Sequence, residues 1–474
     1  MDKLGKQDIF LSFYGDDFTG STDVMESLML NGVRTALFLN IPTEEEIKNF
    51  RLKKTWDKED NRDLQAFGIA GISRSLPVEQ MKEELTPVFE RLSKIRTDFF
   101  HYKVCSTFDS SPEIGSIGFA TDLANQYFPS AYIPLVVGAP FLNRFSVFGN
   151  LFARIDGITH RLDRHPTMSC HPVTPMLESD LRLHLGKQTS RKIELMDLFA
   201  LETDLNERQK FFRELNLTNG EILLFDTLSM KHLINVGEQI IHNAPGDSCQ
   251  LLIGSSSLEY ALSLYLQKEG KLIKPDTPES PGRKEQIIVM SGSGAPTTGK
   301  QLDFVLQKGF EDIRINTVKL VDPGLADEEK KRVIKKALEA LKKGKSIAMY
   351  TAKGPDDPAI LKTKIALAHS GTDAESTSLL LGSKQGEILK EILTETGKIR
   401  TVICGGDTSG HAAKALGIYA LETLMPISPG APLCLVHSKN KLFDGLEISL
   451  KGGQNGAYNY IESIQEGRNI PMNN

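Results

Sequence analysis

Short apolar runs, each followed by a turn and then an amphipathic stretch, recur along this chain, and that rhythm limits its fold more than any other feature. Residues 9–14 read as a buried strand, and Asp16-Asp17-Phe18-Thr19-Gly20 then turns the chain. Val24, Met25, Leu28 and Met29 follow at helical spacing until Asn31-Gly32 stops the helix. Residues 33–39, 64–72, 99–105 and 133–137 are further strand candidates, with helices expected over 77–95 and 116–127. Strands alternating with helices build βαβ units and a parallel sheet. Residues 51–62, charged and carrying the only tryptophan, Trp56, read as a surface insertion. Residues 145–175 are dense in His, Pro, Arg and Gly; they break the rhythm and read as an irregular hairpin or lid.

The rhythm resumes at 222–225 and 250–253, each run followed by a helix. It pauses in the Pro-rich, charged stretch 270–285, then restarts with strands expected at 287–290, 313–318, 346–350 and 399–404. A chain of 474 residues has room for two or three domains. The economical reading is two α/β domains with mainly parallel sheets and a cleft between them: residues 1–270, a linker at 271–285, and residues 286–474.

Lys and Arg total 56 against 61 Asp and Glu, a net charge of −5, which lacks the concentrated positive field that nucleic-acid binding needs. Five scattered cysteines without a Cys-x-x-Cys argue against a disulfide framework or structural zinc and for the reducing cytoplasm. No run of about 18 apolar residues is present, so no membrane span is expected, and the first residues lack the pattern of a signal peptide.

In open α/β sheets, ligands bind beyond the carboxyl ends of the strands, so the turns directly after strands are where chemistry is sought. Four stand out. In the first, Asp16 and Asp17 suit proton abstraction or magnesium coordination, although Thr19 or Asp17 also suits a helix N-cap. The second joins Ser73-Arg74-Ser75 with the stretch from His101 to Asp109. There Arg74 and Lys103, with Ser106 and Thr107, suit a substrate carrying a carboxylate and several hydroxyls. Cys105 reads more readily as an inert core thiol than as a nucleophile.

The third turn runs from Ser291 through Gly292, Ser293, Gly294 and Thr297 to Gln301. Gly294 to Lys300 fits G-x-x-x-x-G-K, but Gln301 stands where a phosphate-cradling P-loop has Ser or Thr, and Pro296 would start the helix early. The fourth is Gly405-Gly406-Asp407-Thr408-Ser409-Gly410. Its glycines let a ligand approach the backbone, and Asp407 is a candidate magnesium partner. Lys451-Gly452-Gly453 repeats the glycine theme, and three such turns in one domain favour a nucleotide. His165 and His171 lack an identifiable third ligand, so stiffening of the local chain is the better reading than a metal pair.

Taken together, these turns resemble the four-carbon acid sugar kinases. Asp16, Asp17, Thr19, Gly20 and Asp23 match the family's D-D-x-T-G-x-x-D start. Ser73-Arg74 matches its S-R turn, and Lys103 to Thr107 its K-x-D-S-T stretch. Gly292 to Gln301 match its G-S-x-S-x-x-T-x-x-Q loop, Gly405 to Ser409 its G-G-x-T-S element, and Lys451 to Gly456 its last glycine turn.

The resemblance implies an amino-terminal sugar-acid-binding domain, a carboxyl-terminal nucleotide-binding domain, and ATP with Mg2+ as cosubstrate and metal. It makes Lys300 incidental, because the family has Gln at 301. It also implies phosphorylation of a sugar-acid hydroxyl, with Asp17, or else Asp16, orienting or deprotonating that hydroxyl. Arg74 and Lys103 would hold the carboxylate, and domain closure would expel water. Two stretches depart from the pattern: Cys105 replaces an Asp, and Phe108-Asp109-Ser110 replaces Leu-Arg-Gly. A P-loop NTPase and a non-catalytic sugar-acid sensor are the rival readings, and the sequence leaves a homodimer open.

Overall fold

Apolar runs that are buried on both faces become parallel strands, and here they do so twice. The computed structural model describes residues 5, 8–56, 60–155, 157–171, 173–276, 278–369 and 374–469, without the side chains of 369, 374–379 and 407. Residues 57–59 of the expected insertion therefore lie outside the described residues. The chain divides into two compact units, Met1–Asp276 and Thr277–Asn474.

The first unit contains β1 (Ile9–Gly15), β2 (Thr35–Phe38), β3 (Ala66–Ala70), β4 (Thr97–Lys103) and β5 (Tyr132–Val136). They are followed by β6 (Arg144–Val147), β7 (Asn150–Ile155), β8 (Ile158–Arg161), β9 (Ile193–Met196), β10 (Glu221–Phe225) and β11 (Gln250–Gly254). Eight of these form a parallel sheet in the order β2-β3-β1-β4-β11-β5-β10-β9. Aromatic side chains fill one face near its centre. Tyr14 stacks on Tyr102 with centroids 5.9 Å apart, and Phe89 of the helix Val78–Leu92 meets both rings edge-on.

In the segment 145–175, expected to be an irregular hairpin or lid, the part up to Arg161 belongs to a regular antiparallel sheet, β6-β7-β8. Its tight turn at Phe148-Gly149, both with positive φ, is held by the buried Asp226 at the end of β10. That carboxylate accepts from the Phe148 and Gly149 amides (2.5 and 3.0 Å) and from Ser146 Oγ (3.0 Å). The two histidines beyond it also serve local structure. His165 Nδ1 accepts from the Thr167 and Met168 amides, and His171 Nδ1 from the Thr174 amide.

The second unit contains β12 (Ile288–Ser291), β13 (Glu311–Arg314), β14 (Ile347–Tyr350), β15 (Thr401–Cys404), β16 (Ile418–Met425), β17 (Leu433–Ser438) and β18 (Glu447–Lys451). Their order is β13-β14-β12-β15-β18-β17-β16, with β17 antiparallel to both neighbours and the others parallel. The strand expected at 313–318 ends at Arg314. Asn316 caps a new helix, Thr317–Val321, by accepting from the Lys319 amide, and that side-chain cap overrides the β-branched run. The antiparallel strands β16 and β17 escaped the expected rhythm because a hairpin needs no helix between its strands. No helix among the described residues is long and apolar enough to cross a membrane.

Candidate active site

Parallel strand order decides which turns become neighbours. In the first unit the carboxyl ends of β3, β1 and β4 lie side by side, and these carry Arg74, Asp16-Asp17 and Lys103. Asp17 is the N-cap of the helix Phe18–Leu30, its Oδ1 accepting from the Gly20 amide at 2.7 Å. Capping engages only that oxygen. The remaining carboxylate oxygens of the pair all meet one guanidinium: Arg74 Nη2 and Nε donate to Asp16 Oδ1 and Oδ2 (2.6 and 3.0 Å), and Nη1 to Asp17 Oδ2 (2.8 Å).

Arg74, expected on a substrate carboxylate, is thus held by the protein's own carboxylates. The turn that carries it is pinned by the stacked tyrosines. Tyr14 Oη accepts from the Ile72 amide at 3.2 Å, and Ser73 Oγ lies 2.9 Å from Tyr102 Oη. Gly20 closes the cluster from the helix side. A Cβ there would lie 2.5 Å from Asp17 Oδ1 and 3.0 Å from Lys103 Nζ.

Burial and charge set the two acids apart. The Asp16 side chain is 5% exposed and that of Asp17 is 30% exposed, so Asp17 is the carboxylate a ligand can reach. Burial pushes the Asp16 carboxyl up from 3.8 to about 6; Arg74 opposes the rise and Asp17 adds to it. Burial likewise raises Asp23, opposed by Lys103, whose buried Nζ stands 3.8 Å away.

Beyond β4 the chain turns through Cys105–Phe108, leaving Ser106 and Thr107 partly exposed beside Lys103. Thr107 Oγ1 lies 2.9 Å from Cys105 Sγ and 2.5 Å from Asp109 Oδ1. Asp109 thus places a carboxylate on the hydroxyl that also meets Cys105. Burial first, then Asp109, raises the Cys105 thiol, which is the opposite of what a thiolate nucleophile requires. Ser255 and Ser257, after β11, escaped the sequence reading although they too follow a strand directly. Their hydroxyls donate to the carbonyls of Val137 and Gly138 and tie the ends of β11 and β5 together.

In the second unit β12, β15 and β18 are adjacent, so the three glycine turns converge. The Gly292 amide donates to the Cys404 carbonyl (3.0 Å), and the Gly405 amide to the Lys451 carbonyl (2.9 Å). A Cβ on Gly292 would collide with Thr408 Oγ1, and Gly405 has φ +116°, so neither position admits a side chain without strain.

Lys451 is the centre of this arrangement. It is 1% exposed, its Nζ donates to Thr298 Oγ1 (3.0 Å) and the Gly452 carbonyl (2.9 Å), and among the described residues no carboxylate pairs with it. Burial pushes its ammonium below the ordinary lysine range, with Cys404 opposing. Gln301 is buried and donates through Nε2 to the carbonyls of Asn455, Gly456 and Ala457, while Thr298 Oγ1 donates to the Gly453 carbonyl. Gln301 therefore builds the Lys451–Gly456 turn through its amide nitrogen.

Thr297 Oγ1 joins the same turn through Gln454 Oε1 (2.9 Å), and Ser293 Oγ accepts from the Ala295 amide (3.2 Å). Ser291, the end of β12, accepts from the Ser293 amide through its Oγ, and Gly294 lies against Ile360. Gly406 opens the helix Gly406–Ala415, Thr408 is buried in its first turn, and the side chain of Asp407 lies outside the described residues. Lys300 is exposed on the helix Pro296–Gln307, which begins at Pro296 and leaves too short a loop for a P-loop cradle.

The comparisons agree with this division of labour. A model of a sugar-binding N-terminal domain matches residues 11–262, and a model of a nucleotide-binding C-terminal domain matches residues 288–461. The chain is 39% identical over 463 residues to a 3-oxo-isoapionate kinase of Paraburkholderia graminis, covering 97% of this chain and 95% of that one. It is 27% identical to a 3-oxo-tetronate kinase of Pseudomonas savastanoi pv. phaseolicola, covering 95% of each. In fold it is similar to a solved structure from Salmonella typhimurium LT2, with a TM-score of 0.74 at 23% identity over 96% of this chain and 98% of that one. Both halves are matched by the expected domain type and nearly the whole chain by named kinases, and the chain therefore belongs to the four-carbon acid sugar kinase family.

Proposed function

We propose that this protein transfers the γ-phosphoryl group of ATP to a hydroxyl of a small 3-oxo sugar acid, with 3-oxo-isoapionate as the first candidate. The observation that carries the nucleotide half is Lys451: a buried cation that no carboxylate among the described residues pairs with, set where three glycine turns meet. A phosphate group would supply the missing anion, and phosphoryl transfer depends chiefly on such positioning and charge neutralisation. Gly292, Ser293, Gly294, Gly405, Gly406, Thr408, Gly452 and Gly453 would line the phosphates.

Among the described residues no group of three or more His, Cys, Asp or Glu could cage a metal. The hydroxyl-rich turns, with Ser409 Oγ buried and unpartnered, fit Mg2+ carried mainly by phosphate oxygens and water. When bound, that ion would neutralise charge on the transferring group.

In the acid half, Asp17 is the carboxylate that would accept the proton of the attacking hydroxyl. Asp16 holds Arg74, and Arg74 in turn holds Asp17, so the base keeps one orientation. Lys103, Ser106 and Thr107 would contact substrate oxygens. The preference for 3-oxo-isoapionate over 3-oxo-tetronate follows the higher identity to the kinase named for it. Lys300, exposed and outside the turns, gives no support to the P-loop reading.

The test is incubation of the full chain with ATP and Mg2+ and, separately, 3-oxo-isoapionate, 3-oxo-tetronate and a panel of four- to six-carbon sugar acids. ADP release and product mass are followed. Gain of one phosphoryl group on a sugar acid supports the reading. Silence across the panel with ATP still bound would instead favour a sensor.

A further inference from the structure

The floor of the acid pocket carries more negative than positive charge. Four carboxylates (Asp16, Asp17, Asp23 and Asp109) stand with two cations (Arg74 and Lys103), and Arg74 is committed to Asp16 and Asp17 while Lys103 faces Asp23. An acid entering here would meet like charge unless another cation received it, because unpaired charges of one sign repel strongly away from water.

One arginine in the first unit is available for that role. Arg144 opens β6, on the turn that leaves the carboxyl end of β5. It is fixed from both sides: its amide donates to the Ala139 carbonyl (3.1 Å), and it pairs in register with Ala153 of β7. Its Nη1 donates to the Leu142 carbonyl at 3.0 Å, its Nε is buried without a partner, and among the described residues no carboxylate pairs with it. The two arginines buried more deeply than Arg144 have carboxylate partners: Arg208 holds Glu238, and Arg400 holds Glu447. Arg144 also stands within electrostatic reach of Cys105, just beyond β4, and of His165. His165 brings no competing charge. Its Nδ1 accepts from two amides, and burial with Arg144 and His160 holds the ring below its ordinary range.

We propose that Arg144 is the residue that receives the carboxylate of the sugar-acid substrate, a role that sequence motifs assigned to Arg74. A guanidinium offers paired N–H donors to a carboxylate, and the buried Nε would gain the partner it lacks. The β6-β7-β8 sheet then acts as the part of the site that selects acids over neutral polyols, because it is what brings Arg144 to the strand ends.

This inference rests on the sugar-acid kinase reading, and binding separates the two. Full-length wild type, Arg144→Gln and Arg144→Lys are titrated calorimetrically with 3-oxo-isoapionate and with its primary amide, which keeps the shape and loses the charge. In Arg144→Gln, affinity for the acid should fall about 100-fold, as for loss of a desolvated charge pair, while affinity for the amide and for ATP holds. Arg144→Lys should recover part of the loss, and it keeps the test valid if the glutamine variant folds poorly. Acid affinity within about twofold of wild type in Arg144→Gln would overturn the proposal, since a buried charge-assisted contact is worth far more. Wild type that binds the acid but never phosphorylates it would overturn the kinase reading alone, and wild type that does not bind it would overturn both.

Discussion

Replacing Asp16 by asparagine isolates one titration in the acid pocket and gives it a sign. Asp16 is buried, and its carboxyl is pushed from 3.8 to about 6 chiefly by that burial. Below pH 3.8 the folded and unfolded chains both carry the proton, and this group does not favour either state. As pH rises from there to about 6, only the unfolded chain ionises, so the folded state loses stability progressively. Above about 6 the loss is complete and amounts to about 3 kcal/mol, taking 1.36 kcal/mol for each pH unit between the two values.

Asparagine cannot titrate. The unfolding free energy of wild type minus that of Asp16→Asn should therefore grow by about 3 kcal/mol on going from neutral pH down to about pH 3. The constant cost of losing a charged partner for Arg74 cancels in that comparison, and Asp23 titrates in both proteins. Trp56 is the only tryptophan and belongs to the unit that holds Asp16, so its fluorescence in urea follows the right transition. Activity should carry the same signature: wild-type kcat/KM falls as pH drops through about 6, because protonation loosens the Arg74 fork that holds Asp17. A stability difference that is flat with pH, or that shrinks on acidification, would refute the burial argument.

Two other changes follow from the structure. Lys451→Met should raise KM for ATP about 100-fold without lowering the unfolding midpoint, because the buried ammonium is disfavoured without an anion. Lys300→Ala, on an exposed face, should stay within about twofold, and nucleotide titrations compare the two. Asp226→Ala strands two backbone amides and a hydroxyl at the β6–β7 turn and should cost about 3 kcal/mol. Urea unfolding followed by Trp56 fluorescence checks that figure.

The candidate positions were legible wherever a motif directly follows an apolar run. Asp16-Asp17, Ser73-Arg74, Lys103, Gly292 and Gly405 all lie where a strand ends, and local pattern is enough to find such places. What each side chain does there was less legible. Asp17 is the helix cap, yet only contact with Arg74, 57 residues away, shows that Asp16 and Asp17 share one guanidinium. Gln301 was legible only as a motif match, whereas the structure shows its amide holding a turn 154 to 156 residues downstream. Arg144 matched no motif, and its significance comes from an unpartnered nitrogen in a wall built by distant strands.

Hydrophobic periodicity and turn chemistry, read from the sequence by themselves, determined that this protein has alternating strands and helices, glycine turns suited to phosphate, and a paired carboxylate at the first strand end. These are local properties, set by residues a few positions apart. Tertiary structure alone decided which of those ends meet. Sheet order is not chain order: β1 lies between β3 and β4, β11 separates β4 from β5, and β15 lies between β12 and β18. Those pairings bring residues far apart in sequence within hydrogen-bond range, and burial there raises Asp16, depresses Lys451 and leaves Arg144 Nε without a partner. Charge and pKa depend on who the neighbours are, and only the folded chain names them.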